Sequence, residues 1–277
     1  MTSLQSTVRR SISILKGAML LFAAYAYLSL TAELADGGSQ TYSTGTGEQK
    51  TIPLAGGSSI VLDAESALKI EPGRNVTQVF LIKGRAYFKL IHDPSHQTAV
   101  HTPWTKLVDV GTKFSVELFD KAQTVVITEQ GMVEAEVQSP SASDSSSAGP
   151  ATVERTTLLE DQILLTRPFD TMAHFRTGSL TQAELERRLA WRDGVLIYRA
   201  GDSLGAVVRE INRYRKIKIS VDPSARGLSV GGLYYINQLD NFAAAVAYKY
   251  HLQMYRLGPH EVLLSRKQPA RQRDIPQ

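Results

Sequence analysis

The sequence predicts a mainly β chain that ends in a smaller α+β unit and is preceded by one membrane helix. Three observations lead there. Short apolar strands recur at regular spacing between Gln49 and Leu165, two strand-helix-strand patterns follow between Val195 and Leu264, and an uncharged apolar run spans Gly17 to Ala32. The 277 residues include no cysteine, which removes disulfides, thiolate nucleophiles and cysteine-based metal sites together. A net charge of +4 is too small to imply nucleic acid as a partner.

The apolar run is close to the lower limit of about 17 residues for a bilayer-spanning helix. Ile12 and Leu15 extend it if Lys16 snorkels to the interface. Arg9, Arg10 and Lys16 precede it, so residues 1–16 are expected to stay in the cytoplasm and everything after about Glu33 to be exported. The segment 17–35 reads as an uncleaved anchor. A cleaved signal peptide is the alternative, but Glu33 and Leu34 interrupt the small-x-small sites near its end.

After a linker at 36–48, residues 49–168 read as an all-β domain. Thr51 to Leu54 and Ser59 to Leu62 flank the turn Ala55-Gly56-Gly57-Ser58 as a hairpin. Val79 to Lys83 and Arg85 to Ile91 are separated by a break at Gly84. Further strands are expected at Lys106 to Val110, Lys113 to Leu118, Thr124 to Thr128, Met132 to Val137 and Arg155 to Leu165. This spacing suggests a sandwich, roll or solenoid. The stretch 139–152 is almost devoid of apolar side chains and reads as a flexible insertion. In the connecting region 169–190, Thr181 and Glu184 have capping-box spacing ahead of Leu185 and Leu189.

Residues 191–265 change character. A strand at Val195 to Arg199 precedes a helix capped by Asp202 or Ser203, with Leu204, Val207, Val208 and Ile211 on one face, and a strand follows at Lys216 to Val221. The unit recurs with a strand at Leu228 to Tyr234, a helix from Asn241 carrying Phe242, Val246 and Tyr250, and a hairpin around Gly258-Pro259. Two such units give an α+β layer with helices on one sheet face. The basic stretch 266–277 is expected to be a solvated, disordered tail.

From Tyr42 to Leu264 the chain resembles the FecR family of bacterial envelope regulators. The residues carrying the resemblance are Tyr42, Gly45 and Gly47-Glu48, then Leu54-Ala55-Gly56-Gly57-Ser58 with Leu62, Ala64 and Ser66. They continue as Leu81-Ile82-Lys83-Gly84-Arg85-Ala86-Tyr87-Phe88, His92-Asp93, Gly111-Thr112-Lys113-Phe114-Ser115-Val116 and Glu129-Gln130-Gly131-Met132-Val133. In the C-terminal unit they are Trp191-Arg192-Asp193-Gly194 and Asn212-Arg213-Tyr214. Each piece is short; their order and spacing together are specific.

The resemblance implies a single-pass inner-membrane protein whose C-terminal domains lie in the periplasm. Its α+β unit, similar to the short N-terminal domain of secretins and TonB-dependent proteins, would dock the signalling domain of an outer-membrane TonB-dependent transducer. The cytoplasmic side would regulate an extracytoplasmic-function sigma factor, often for ferric-siderophore uptake genes. Family members usually carry a helical sigma-binding domain before the membrane segment, where this chain has residues 1–16. Either a separate polypeptide supplies that function, the true start lies upstream, or the chain is an exported binding or structural module without transcriptional control. Three smaller departures are Gly56 for an aspartate in the first hairpin, Arg85 for a glutamate after the strand-breaking glycine, and Asp161 for a glycine. These are expected to be turn and surface changes.

No glycine-rich phosphate loop precedes a helix and no serine sits in a nucleophile elbow, so neither a cofactor nor catalysis on a substrate is expected. The one place for bond chemistry is Gly111-Thr112, where some family members are thought to cleave themselves by attack of the threonine hydroxyl on the preceding carbonyl. Period-two counting turns Thr112 inward with Phe114 and Val116. The alternative is a turn glycine followed by an ordinary strand threonine. His92, Asp93, His96 and His101 are expected in a solvated loop, without a metal. The partner-binding candidates are Arg213, Tyr214 and Arg215, in a basic patch with Lys216 and Lys218, and the aromatic residues Trp191, Tyr234 and Tyr235. Each has a simpler reading as helix end or core.

Overall fold

The computed structural model describes residues 38–109, 111–119, 123–138, 153–167 and 175–266. The expected cytoplasmic tail, the anchor at 17–35, the insertion at 139–152 and residues 267–277 of the basic tail lie outside them. No helix among the described residues is long and apolar enough to cross a membrane.

Thirteen strands build the first and larger part. They are β1 (Gln40–Ser43), β2 (Lys50–Pro53), β3 (Ser59–Leu62), β4 (Ala67–Glu71), β5 (Val76–Lys89), β6 (Gln97–Thr102), β7 (Thr105–Asp109), β8 (Lys113–Leu118), β9 (Thr124–Gln130), β10 (Val133–Gln138), β11 (Val153–Leu158), β12 (Gln162–Thr166) and β13 (Phe175–Ser179). Most pairs are antiparallel, and β5 with β6 is parallel. The long strand β5 belongs to two layers. Its first half lies between β4 and β6, continuing through β7, β10 and β11, and its second half lies between β3 and β8, continuing through β9, β12 and β13.

The layers close on one apolar core. Leu68, Val79, Leu81, Val100, Leu107 and Val133 from the first meet Leu62, Ala86, Phe88, Phe114, Val116 and Val126 from the second. The rings of Phe88 and Phe114 stack with centroids 4.9 Å apart. This is the sandwich among the alternatives the strand spacing allowed.

Gly84, read as a break, is instead a bend within continuous strand. Opposite it, the register of β4 jumps from Leu68↔Leu81 to Ala67↔Lys83, which leaves Ile82 as the extra residue of a bulge. One extra residue shifts the alternation: Val79 and Leu81 face the core before it, Ala86 and Phe88 after it. Arg85 and Tyr87 are thereby turned to the outer face of the second layer. Gly84 has φ +81°, and a Cβ there would lie 2.2 Å from Ser66 Oγ and 2.7 Å from Ser66 Cα. Only glycine fits this crossing.

Several strands were not legible in the sequence, and one was two. The expected linker at 36–48 contains β1, paired with β4. β6 and β13 are polar strands lacking clean alternation. The Arg155 to Leu165 stretch divides into β11 and β12 at a turn where Asp161 takes φ +59°, the left-handed conformation that suits a glycine. Gln138 and Val153 are cross-strand partners, so the insertion at 139–152 connects adjacent hairpin strands.

The second part comprises α1 (Gln182–Leu189), β14 (Val195–Tyr198), α2 (Leu204–Ile211), β15 (Lys218–Val221), β16 (Gly232–Tyr235), α3 (Phe242–Tyr250), β17 (Gln253–Gly258) and β18 (Glu261–Ser265). The expected capping box closes α1, with Thr181 accepting from the Glu184 amide and the Glu184 carboxylate accepting from the Thr181 amide. Ser203, not Asp202, caps α2. The two strand-helix units interleave: β14 pairs with β16, while β18 lies between β15, parallel, and β17, antiparallel. The strand expected at Leu228 to Tyr234 is shorter, because Asp222 through Leu228 forms turns and Ser229 makes only an isolated bridge to Ser203. A 3-10 turn at Ile236–Asn241 precedes α3.

The two parts share a core. Tyr87, Val125, Ile127 and Ile163 on the outer face of the sandwich's second layer belong to one buried cluster with Leu189, Trp191, Leu196, Val207 and Ile211. We predict that Gly84→Ala destabilises the chain by about 2–4 kcal/mol, from the strained φ together with the clash on Ser66. Urea unfolding of the two proteins measures it.

Candidate functional site

The junction of the two parts carries the most concentrated chemistry among the described residues. On the outer face of the second layer, alternation places Arg85 on β5 and Glu117 on β8 in register, since Arg85 is the cross-strand partner of Glu117. Asp63 follows the end of β3 and is fully buried. From the C-terminal part, the last turn of α2 carries Glu210, and the 3-10 turn Asn212–Tyr214 presents Arg213 and Tyr214.

Arg85 is the hub. Its Nε donates to Asp63 Oδ2 at 2.9 Å and its Nη2 lies 2.8 Å from the same oxygen. Nη2 also donates to Tyr214 Oη at 2.9 Å, and Nη1 lies 3.3 Å from Glu210 Oε1 and 3.9 Å from Glu117 Oε2. The flat guanidinium sits over Trp191, 4.4 Å from the ring centroid. Asp63 accepts further bonds from Tyr214 Oη at 3.0 Å and Gln49 Nε2 at 3.0 Å, with Arg213 Nη2 at 3.3 Å. Arg213 also pairs with Glu117 at 3.1 Å and donates to the Ala64 carbonyl at 2.9 Å. Two guanidiniums thus face three carboxylates, with Arg85 and Asp63 buried at the centre and Glu117, Glu210 and Arg213 partly exposed around them.

Burial and charge pull in opposite directions on the protonation of these groups. Burial alone would lower the Arg85 pKa, yet Glu117 and Asp63 hold it well above the ordinary guanidinium value. Glu117 is pushed up by burial, against the pull of Arg85 and Arg213. Burial also raises the Tyr214 hydroxyl, which stays a neutral donor.

Two further clamps hold the junction. Arg192 makes a bidentate pair with Glu129 at 2.6 and 2.8 Å, its guanidinium lies 4.5 Å from the Tyr87 ring centroid, and the Tyr87 hydroxyl donates to Glu129. Burial alone would raise the Glu129 pKa; its bonds from Arg192 and Tyr87 hold the carboxylate below its ordinary value. Lys218 Nζ meets Glu65 Oε1 at 2.8 Å, and Thr46 donates to the same oxygen. The backbone joins as well, because the Gly47 amide donates to the Arg213 carbonyl at 2.9 Å. Gly47 has φ +73°, and a Cβ there would lie 2.9 Å from the Tyr214 carbonyl oxygen.

Of the six expected partner-binding residues, four are engaged inside the chain. Trp191 is 2% exposed beneath Arg85, Arg213 and Tyr214 belong to the network, and buried Arg215 donates to the Leu239 and Ile217 carbonyls with Asp240 at 3.7 Å. Tyr234 packs half-buried against Tyr198 and Phe242. Tyr235, on β16, is 53% exposed.

Arg85, expected on the surface, is buried. Asp63, Glu117 and Glu210, and the pairing roles of Glu129 and Arg192, were not singled out from sequence. No local signal marked them, since β8 alternates Lys113, Ser115 and Glu117 with Phe114, Val116 and Leu118 as a strand with a solvent face would. Gly111 takes φ +82°, where a Cβ would meet His92 Cβ at 2.4 Å, and Thr112 is buried with its carbonyl accepting from the Leu90 amide. His96 lies in a turn near Thr77, whereas His101 is not in a loop but on β6, stacked on Phe80. No group of three or more metal-ligating side chains occurs among the described residues.

Residues 40–134 match the family model described as FecR protein. That range covers most of the sandwich and stops before the C-terminal part. Crystal structures of a proposed anti-sigma factor from Parabacteroides distasonis ATCC 8503, at 2.50 and 1.65 Å resolution, superpose with a TM-score of 0.61. They are 18% identical in sequence, and the match covers 83% of this chain and 100% of theirs, which makes the likeness one of fold. No curated protein matches the chain.

Removing one member of a buried ion pair leaves an uncompensated charge. Arg85→Ala is therefore expected to cost about 3–5 kcal/mol, and Arg85→Ala with Asp63→Ala less than the sum of the single changes. A double-mutant cycle by chemical denaturation reads both. A carboxylate raised on folding loses stability as pH rises from the ordinary range through its folded value. Glu117→Gln should flatten the stability profile in that window, measured by thermal melts across pH.

Proposed function

We propose that this chain, of FecR type over residues 40–134, is a sigma-factor regulator that works through protein contacts on the exported side of a membrane. In this reading residues 17–35 anchor it in the inner membrane and the described residues lie in the periplasm. The C-terminal part docks the signalling domain of an outer-membrane TonB-dependent transducer. The controlled factor is of the extracytoplasmic-function type and serves iron-siderophore uptake genes.

The observation that carries the reading is where the C-terminal part grips the sandwich. Its 3-10 turn and the start of β15 bond the segment Thr44 to Gly47 at the chain's entry into the fold, through the Gly47–Arg213 backbone bond and the Lys218–Glu65–Thr46 relay respectively. A contact made on the distal α+β unit is thus a few bonds from the strand β1 that leads back toward the expected anchor. Sensor and exit lie side by side although some 160 residues of sequence separate them.

No catalysis belongs to this function. The left-handed φ and close neighbours of Gly111 already account for glycine at that position, and the purified full chain should run as one band on a denaturing gel, unchanged in Thr112→Ala.

Gly47→Val tests the path, because it strains the left-handed turn and collides with the Tyr214 carbonyl. The expected result is retained binding of the transducer's signalling domain and a roughly tenfold loss of response in a sigma-dependent reporter. Absence of binding by the unaltered full chain overturns the proposal.

A further inference from the structure

A cleft of ≈ 1160 Å³ opens between the sandwich and the C-terminal part, beside the charge network. It exceeds the ~300–1,000 Å³ of ordinary small-molecule pockets. Its charges fall into two groups. Arg85 and Arg213 are matched by Glu117, Glu210 and Asp63, and Glu65 is matched by Lys218. Lys83, Arg187, Arg188 and Arg209 also line the cleft without an equivalent match.

Lys83, Arg188 and Arg209 are exposed and form no ion pair or hydrogen bond among the described residues. Arg187 reaches only Asp202, at 3.9 Å, and its buried Nε has no acceptor there. Partial burial of its side chain and the adjacent Arg187 charge lower the Arg188 pKa, against the pull of Glu184 and Glu117. Two apolar side chains line the same cleft: Ile82, thrown outward by the β5 bulge and 55% exposed, and Phe119, just beyond β8 and 45% exposed.

We infer that this cleft receives an extended acidic peptide segment of a partner protein, its carboxylates meeting Arg187, Arg188 and Arg209 and an apolar side chain resting on Ile82 and Phe119. Unmatched guanidiniums on two helices select carboxylates, since their planar forks favour paired acceptors. The exposed apolar pair supplies the contact that a free inorganic anion cannot use. The site is distinct from Tyr235 and stands apart from the identity of the transducer proposed above.

The test is selection from a random peptide display library on the full chain, followed by anisotropy measurements with the enriched, fluorescein-labelled peptides. Enrichment of aspartate and glutamate flanking a leucine or aromatic residue is expected. Arg188→Glu with Arg209→Glu should weaken these peptides at least about tenfold, as should Ile82→Ser with Phe119→Ser. All four residues are exposed, so matched thermal melts check that the variants fold. Enrichment without acidic bias, unchanged affinity in the Arg188→Glu/Arg209→Glu variant, or full displacement by millimolar inorganic phosphate overturns the inference. Such a result with transducer binding intact leaves the preceding proposal standing.

Discussion

Burial of the Arg85–Asp63 pair constrains everything around it. Taking both ions from water carries a penalty of several kcal/mol each, which only close geometry and further bonds offset. Those bonds come from both parts of the chain: Gln49 from the sandwich, and Tyr214, Arg213, Glu210 and the face of Trp191 from the C-terminal unit. Neither part can therefore separate without exposing a half-satisfied charge. The apolar cluster across the junction supplies attraction without direction; the ion pair fixes which residues meet. Its role is register more than stability, since an apolar junction of the same shape could hold as well.

The sign of charge at position 85 organises its neighbours. A glutamate there, as the family resemblance led one to expect, would face Asp63, Glu117 and Glu210 with no cation at the hub. Arginine converts the same positions into a satisfied cluster, and its flat face uses Trp191 in a way lysine would not. The departure thus makes sense only together with Asp63, Glu117, Glu210 and Trp191. A strand residue that looks like an isolated surface substitution is the centre of a tertiary network.

That contrast explains how much the sequence disclosed. Alternation found most strands of the sandwich, and capping chemistry at Thr181 and Ser203 placed two helices, because both signals are local. The polar strands β6 and β13 lacked the alternation that marks a half-buried surface, although each pairs with a strand next to it in sequence. Gly84 punctuates sequence as a break, yet its meaning depends on Ser66 across the sheet. The candidate site was least legible for the same reason. Arg213, Tyr214 and Trp191 stood out by type, but their partners lie about 95 to 150 residues away. Nothing local distinguishes an arginine awaiting a partner protein from one already paired within its own chain.

The network also decides how the molecule can respond to a contact on its distal unit. A cluster bonded around buried Arg85 and Asp63 is stiff, because shifting one guanidinium leaves several acceptors unsatisfied at once. Small displacements of α2 are therefore passed on to its bonded neighbours, and the neighbours of Arg213 include the backbone of Gly47 and the carbonyl of Ala64. Gly47 lies four residues beyond β1, and Ala64 lies three before β4, its partner strand. Motion of the 3-10 turn after α2 accordingly reaches both members of the strand pair at the entry to the fold. In the proposed function, the buried charges that make this interface costly to assemble are what would carry a movement across.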